Sequence, residues 1–215
     1  YCATLLGYLG ADVIRVEKPG GAEDRFLAPI GEAMSGVFMQ TGCNKRGVCL
    51  NLKHNDSSEI VRRLVESADV IVVNMPPAVL ERMGLDYESL RAVKPDIILT
   101  TQTCYGHDGP WRNRGGFDGI GQVMSGAAFM SGQPGQPMRA TAPYVDFGTA
   151  ALGALGTVSA LYHRQQTGQG QHVQAALLQT ALTWFSPALI EQAVMGIDRS
   201  PSGNRGQTSA PNDIF

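Results

Sequence analysis

Asp146 opens a run of small and apolar residues, DFGTAALGALGTVSALYHRQQTGQGQ, that predicts one long helix over about 147–166. An aspartate there has two possible uses. Its side chain can accept from the first free N–H groups of the helix, a cap worth about 1 kcal/mol over alanine. Its carboxylate can instead act as a nucleophile. Position alone favours the cap, the commoner role of a helix-starting aspartate. A second pattern is cationic. Lys18 and Lys53 come early in loops that leave strands, and Arg82 lies shortly after a third strand. Ligands of open parallel sheets gather outside the carboxyl ends of the strands, so this placement suits an anionic ligand. Taken singly, each cation reads as solvated surface charge. Neither GxGxxG nor the P-loop pattern occurs, so the familiar phosphate cradles are missing. His107 reads as a surface histidine in a loop. Asp118 reads first as a helix N-terminus and second as a neighbour of the site.

The elements that must hold these residues alternate. A helix over 1–9 stops at Gly10, and ADVIRVE (11–17) is a strand closed by PGG. RGVCLNL (46–52) is a strand and 54–68 a helix with apolar positions 60, 61, 64 and 65 on one face. DVIVVN (69–74) is the clearest strand. Short helices over 77–83 and 86–93 precede another strand within 95–106. After a loop over 106–116, residues 117–129 read as one helix despite their glycines. Beyond the long helix, 172–184 begins as strand and turns helical, and NDIF (212–215) reads as the start of a strand. The fold class is therefore α/β, an open, mostly parallel, Rossmann-like sheet flanked by helices.

Bulk properties narrow the function. With 43% hydrophobic and 17% charged residues and a net charge of −2, the 215-residue chain has an ordinary globular composition and gives no reason to expect nucleic acid as partner. No apolar run approaches the ~18 residues of a membrane span, so no membrane-spanning segment is expected. Cys2, Cys43, Cys49 and Cys104 form no CxxC pair and no zinc spacing, so no metal is expected. Four scattered cysteines fit reduced thiols in the cytoplasm better than a disulfide framework. The chain opens inside a helical pattern without Met, and reads as a piece of a longer protein cut at both ends.

Four stretches then become specific: LLGYLGADVIRVEKPGG, CNKRGVCLNLK, ADVIVVNMPPAVLERMGLDYESL and DFGTAALGALGTVSALYHRQQTGQGQHVQ. In this order they resemble the class III CoA-transferases of the formyl-CoA and carnitine CoA-transferase type, from residue 1 to the end. The resemblance implies that 1–215 is a truncated large CoA-binding domain. A small domain and a glycine-rich loop would lie beyond residue 215, and two full-length chains would interlock as a homodimer. It implies Asp146 as catalytic nucleophile, with coenzyme A, carried as acyl-CoA, as substrate. The positions matching CoA contacts are Lys18, Leu50, Lys53, Asn74, Met75, Arg82 and Met83. Met75 departs from an Asn-Phe pair but keeps an apolar surface. Related acyl-CoA racemases carry a His-Asp pair where this sequence has Phe117 and Asp118, so Phe117 fits the aromatic that transferases place beside the active site.

The implied chemistry moves CoA from an acyl-CoA to a free carboxylic acid through a mixed anhydride and then an aspartyl-CoA thioester, both of which keep the acyl group activated. Oxyanion donors would come from glycines after Asp146 or from the glycine-rich loop. The alternatives are an acyl-CoA racemase, against which Phe117 speaks, and a non-catalytic CoA-binding subunit, against which Asp146 speaks.

Overall fold

The computed structural model describes residues 1–27 and 34–214. Along the chain come α1 (Cys2–Tyr8), β1 (Val13–Glu17), α2 (Gly36–Thr41), β2 (Lys45–Cys49), α3 (Ser57–Ser67), β3 (Val70–Val73) and α4 (Pro77–Met83). They are followed by α5 (Tyr87–Val93), β4 (Ile98–Thr103), α6 (Asp118–Met124), α7 (Ala127–Met130), α8 (Tyr144–Thr167), β5 (His172–Ala176) and α9 (Leu177–Met195). The α/β alternation is the one the hydrophobic periodicity predicts. β1 and β2 pair in parallel, Val13 opposite Lys45 and Glu17 opposite Cys49. β3, β4 and β5 form a second sheet in that order, so the described strands make two sheets where the sequence predicted one.

Some boundaries differ, each for a local reason. The helix expected over 117–129 breaks into α6 and α7 at Ser125–Gly126, where Gly126 takes a left-handed φ of 86°. α8 starts at Tyr144, directly after Pro143, a residue that has no N–H to satisfy there. The short helix α2 was not foreseen; Ser35 caps it by accepting from the Val37 N–H at 3.1 Å. Residues 212–214 lie in no strand, and Phe215 is outside the described residues.

The chain divides into two compact units. The first comprises 1–72, 84–100 and 153–173. Ile97, Ile98 and Leu99 are fully buried there, beside Leu90 and Ala160. The C-terminal part of α8 packs in this unit through small residues. Thr157 donates to the Gly153 carbonyl at 2.7 Å, so the Thr100 hydroxyl, 2.6 Å away, donates to Thr157. A Cβ added at Gly156 would sit 2.7 Å from Val173 Cγ1. Gly156→Ala is expected to cost about 1–3 kcal/mol by overpacking, read as a lower denaturation midpoint at unchanged m-value. In the last turn Arg164 donates from Nη2 to Asp69 at 2.8 Å and lies 3.5 Å from Asp96. Gly168, at φ 72°, ends the helix, and the next glycine, Gly170, runs against backbone: a Cβ there would be 2.6 Å from the Asp96 carbonyl carbon and closer still to Ile97 O. The Leu99 N–H then donates to Gln171 O at 3.0 Å, which sets β5 on β4.

The second unit comprises 73–83, 101–152 and 174–215. Its core includes Leu80, Ala128, Val145, Ala150 and Ala181. The start of α8 meets α9 here through Gly148, where a Cβ would be 2.6 Å from Trp184 Cζ2. Buried Thr149 and Thr180 join the same helices with hydroxyls 2.9 Å apart. Gly148 and Gly156 thus both serve close packing of α8. One expectation fails: α8 is long and apolar enough to cross a membrane, with a mean hydropathy of 1.2. Alanine, valine and leucine raise that mean without forming a run of large side chains, and 44% of its most apolar window is buried inside the protein.

Candidate active site

Asp146 lies in the first turn of α8, not before it. The first four N–H groups of a helix have no partner within it. Here all four are taken by others. Tyr144 N–H donates to Ala142 O at 2.9 Å and Phe147 N–H to Pro143 O at 3.1 Å. The N–H groups of Val145 and Asp146 both donate to Asp118 Oδ1, at 2.8 and 3.2 Å. The capping carboxylate therefore comes from α6, and the cap expected of Asp146 is supplied by Asp118. This also removes the first turn of α8 as a source of oxyanion donors. The glycines after Asp146 lie within the helix, where N–H groups bond to carbonyls four residues back.

Glycines bring α6 to this position. A Cβ added at Gly121 would lie 2.7 Å from Val145 Cγ1 and 3.3 Å from the Ala181 methyl, so α6 rests directly on the opening of α8. Gly116 packs equally tightly against Cys104 just before Phe117 and Asp118. One turn along α6, Gln122 donates from Nε2 to Asp118 Oδ2, and its Oε1 accepts from the Ala140 N–H at 2.7 Å. Asp118 and Gln122 are 5% and 1% exposed. Phe117, one residue earlier, is 82% exposed.

The Asp146 carboxylate is half-buried and takes no part in the bonds that cap α8. Burial, and then the negative charge of Asp118, push its pKa up to about 6. A capping aspartate would be held ionised by the bonds it accepts; here a backbone N–H of Asp118 acts in that direction but is outweighed. In a carboxylate nucleophile, a raised pKa increases basicity while leaving the group mostly ionised above pH 7. Cys104 is the nearby thiol. Burial raises its pKa, as does the charge of Asp146. His107, expected at the surface, is half-buried, and burial lowers its pKa.

The cationic positions fall into both units. In the first, Lys18 directly follows β1, and the Leu50 N–H donates to Glu17 O at 2.8 Å, so parallel pairing brings Lys18 and Leu50 to one end of the β1–β2 sheet. Lys18 is exposed and ion-paired with Glu23. Lys53 is exposed in the turn before α3. In the second unit Asn74 and Met75 follow β3, while Arg82 and Met83 end α4. Asn74 and Arg82 are exposed, and Met75 and Met83 half-buried. Among the described residues Lys53 and Arg82 have no carboxylate partner, which leaves both charges to solvent or ligand. Sequence reading passed over Gln122 and Gly121. The i,i+4 spacing of Asp118 and Gln122 in FDGIGQ was the available signal, and it resembles any polar pair on a helix. No cluster of three metal-ligating side chains occurs among the described residues.

A model of CoA-transferase family III matches residues 1–215. The chain is 38% identical over 184 residues to the succinyl-CoA–L-malate CoA-transferase beta subunit of Chloroflexus aurantiacus, covering 84% of this chain and 45% of that protein. It is 34% identical over 223 residues to the succinate–glutarate CoA-transferase of Agrobacterium fabrum, covering 100% of this chain and 56% of that one. A CAIB/BAIF family protein from Brucella suis superposes with a TM-score of 0.91 at 32% identity, over 99% of this chain and 58% of that structure. The chain thus spans about half the length of the relatives it matches.

Proposed function

The chain belongs to CoA-transferase family III, and from that premise we propose that it carries the nucleophile of an enzyme that moves CoA from an acyl-CoA to a free carboxylic acid through a covalent intermediate on Asp146. The observation that carries this reading is the division of labour at the start of α8. Asp118 takes the capping bonds of α8, and the half-buried Asp146 carboxylate is spared them, its pKa pushed up to about 6 by burial and by the charge of Asp118.

In the proposed cycle an Asp146 oxygen attacks the thioester carbonyl. The tetrahedral intermediate expels CoA as its thiolate and leaves a mixed anhydride. The thiolate attacks the aspartyl carbonyl, the donor leaves as its carboxylate, and Asp146 becomes a thioester of CoA. The acceptor carboxylate attacks that thioester, forming a second anhydride and the thiolate again. Attack of the thiolate on the acceptor's acyl carbon yields the new acyl-CoA and returns Asp146 to its carboxylate. No proton changes hands in the net exchange, so no general acid or base is required. Water must be kept out, because hydrolysis of either intermediate wastes the activation. Lys18, Leu50, Lys53, Asn74, Met75, Arg82 and Met83 are proposed to contact CoA. Phe117 stands where a racemase would need a second proton-transfer group.

The relatives' names point to short dicarboxylates, and succinyl-CoA is the first donor to try. We place the full-length enzyme in the cytoplasm as an interlocked homodimer. The test uses the full-length protein: incubate with succinyl-CoA, quench with hydroxylamine or borohydride, and map the modified peptide by mass spectrometry. Label on Asp146 supports the transferase. Absence of label with α-proton exchange into heavy water replaces it with a racemase.

The same reading sets a pH dependence. Attack requires ionised Asp146, so kcat/KM is expected to fall about tenfold per pH unit below a limb near 6. A pH–rate profile whose acid limb lies near 4 would contradict the raised pKa.

A further inference from the structure

Asp118 and Gln122 are polar, buried and outside the set of residues proposed to touch substrate. Their bonds form a continuous path: Ala140 N–H to Gln122, Gln122 to Asp118, and Asp118 to the N–H groups of Val145 and Asp146. The Gln122 Nε2 also lies 3.4 Å from Ala140 O. One side chain thus holds the loop that enters α8, and the other holds the first turn of α8. If only a cap were needed, a serine, threonine or aspartate immediately before the helix would supply it. The positions before Tyr144 are Ala142 and Pro143, neither of which has a side-chain acceptor.

Resting on the transferase reading above, we infer that Asp118 and Gln122 are a positioning pair for the nucleophile: they fix the backbone of Asp146 from a separate helix, spare its carboxylate from capping its own helix, and keep a negative charge beside it. Placing the cap on another helix separates two demands that conflict in one carboxylate. A capping carboxylate is engaged by N–H donors, which lowers its basicity, whereas a nucleophile needs exposed lone pairs. The neighbouring charge of Asp118 acts in the nucleophile's favour, because it raises the energy of the ionised carboxylate before attack. Two other titratable groups near this turn, Cys104 just after β4 and Tyr144 on α8, are disfavoured as anions by burial.

Asp118→Asn and Asp118→Ala in the full-length enzyme test the pair. Asparagine keeps an oxygen that can accept from both N–H groups but carries no charge; alanine removes cap and charge together. The readouts are kcat, KM for succinyl-CoA, and the titration of the Asp146 carboxyl carbon by NMR in protein labelled with 13C-aspartate, assigned with Asp146→Asn. Asp118→Asn should lower the Asp146 midpoint toward the ordinary aspartate range and cut kcat about 10- to 100-fold at unchanged KM. Asp118→Ala should lose more turnover, so that asparagine counts as a partial rescue. A folded Asp118→Asn protein with the parent's midpoint and kcat overturns the inference and leaves the transferase reading intact. A shifted midpoint in a parent that neither turns over nor traps label overturns the transferase reading, while the pair's hold on Asp146 stands.

Discussion

Asp146→Asn is expected to reduce CoA transfer by at least about 10⁴-fold, in line with removal of other covalent nucleophiles. The asparagine is nearly the same shape, and the bonds to the Asp118 carboxylate use only the backbone N–H groups of Val145 and Asp146, so the helix start survives. What disappears is the group proposed to form the anhydride. The same substitution should stabilise the protein at neutral pH. The folded-state pKa of Asp146 is raised from its ordinary 3.8 to about 6. Folding therefore favours the protonated form. The group's favourable contribution is complete below about pH 4 and is lost as pH rises through about 6. At 1.36 kcal/mol per unit the ionised group would cost up to about 3 kcal/mol, reduced to about 1–2 by its remaining contact with solvent. Asparagine carries no such cost. The gain should appear in thermal denaturation at pH 7–8 and vanish near pH 4. Retained transfer, or a loss of stability at pH 7, would show that Asp146 is structural.

The second large effect lies at the other end of α8. Gly170→Ala would place a methyl 2.6 Å from the Asp96 carbonyl carbon, with Ile97 O nearer still. Both obstacles are backbone, so no rotamer change relieves them, and Ile97 is fully buried. The cost is expected at about 3 kcal/mol or more, at the upper end for overpacking. That is a large share of the stability of a domain this size. Gly168→Ala is the comparison. Its added Cβ meets nothing within 4 Å, and its penalty comes only from a φ of 72°. Equilibrium denaturation of the pair should rank Gly170→Ala as clearly the more damaging.

Much of the local structure was readable from sequence. α4 was predicted with the same ends, because breakers flank it on both sides: Asn74-Met75-Pro76 before and Gly84 after. Asp146 was visible through the stretch around it, and the cations through their places after strands. What was missed depends on contacts between distant segments. A cap looks like a local feature, so position alone favoured Asp146 as the cap of its own helix. The true cap lies 28 residues earlier in the chain. No periodicity marks a glycine that lets α6 rest on Val145, and a buried Gln122 has the same sequence signature as an exposed one. The break between α6 and α7 was blurred because both halves share one composition.

The packing of α8 also bears on how the chain is made. The residues that cover Gly156 and Gly148, Val173 and Trp184, both follow α8 in the sequence. A ribosome adding roughly 5–20 residues per second needs on the order of a few seconds to pass from the end of α8 to the end of α9. A helix with the length and apolarity of a membrane span therefore emerges before the partners that follow it, Trp184 among them, are free to cover it. Nascent-chain factors that survey apolar segments meet this protein at its most ambiguous moment, and slowing translation as α8 leaves the ribosome should increase its capture by them.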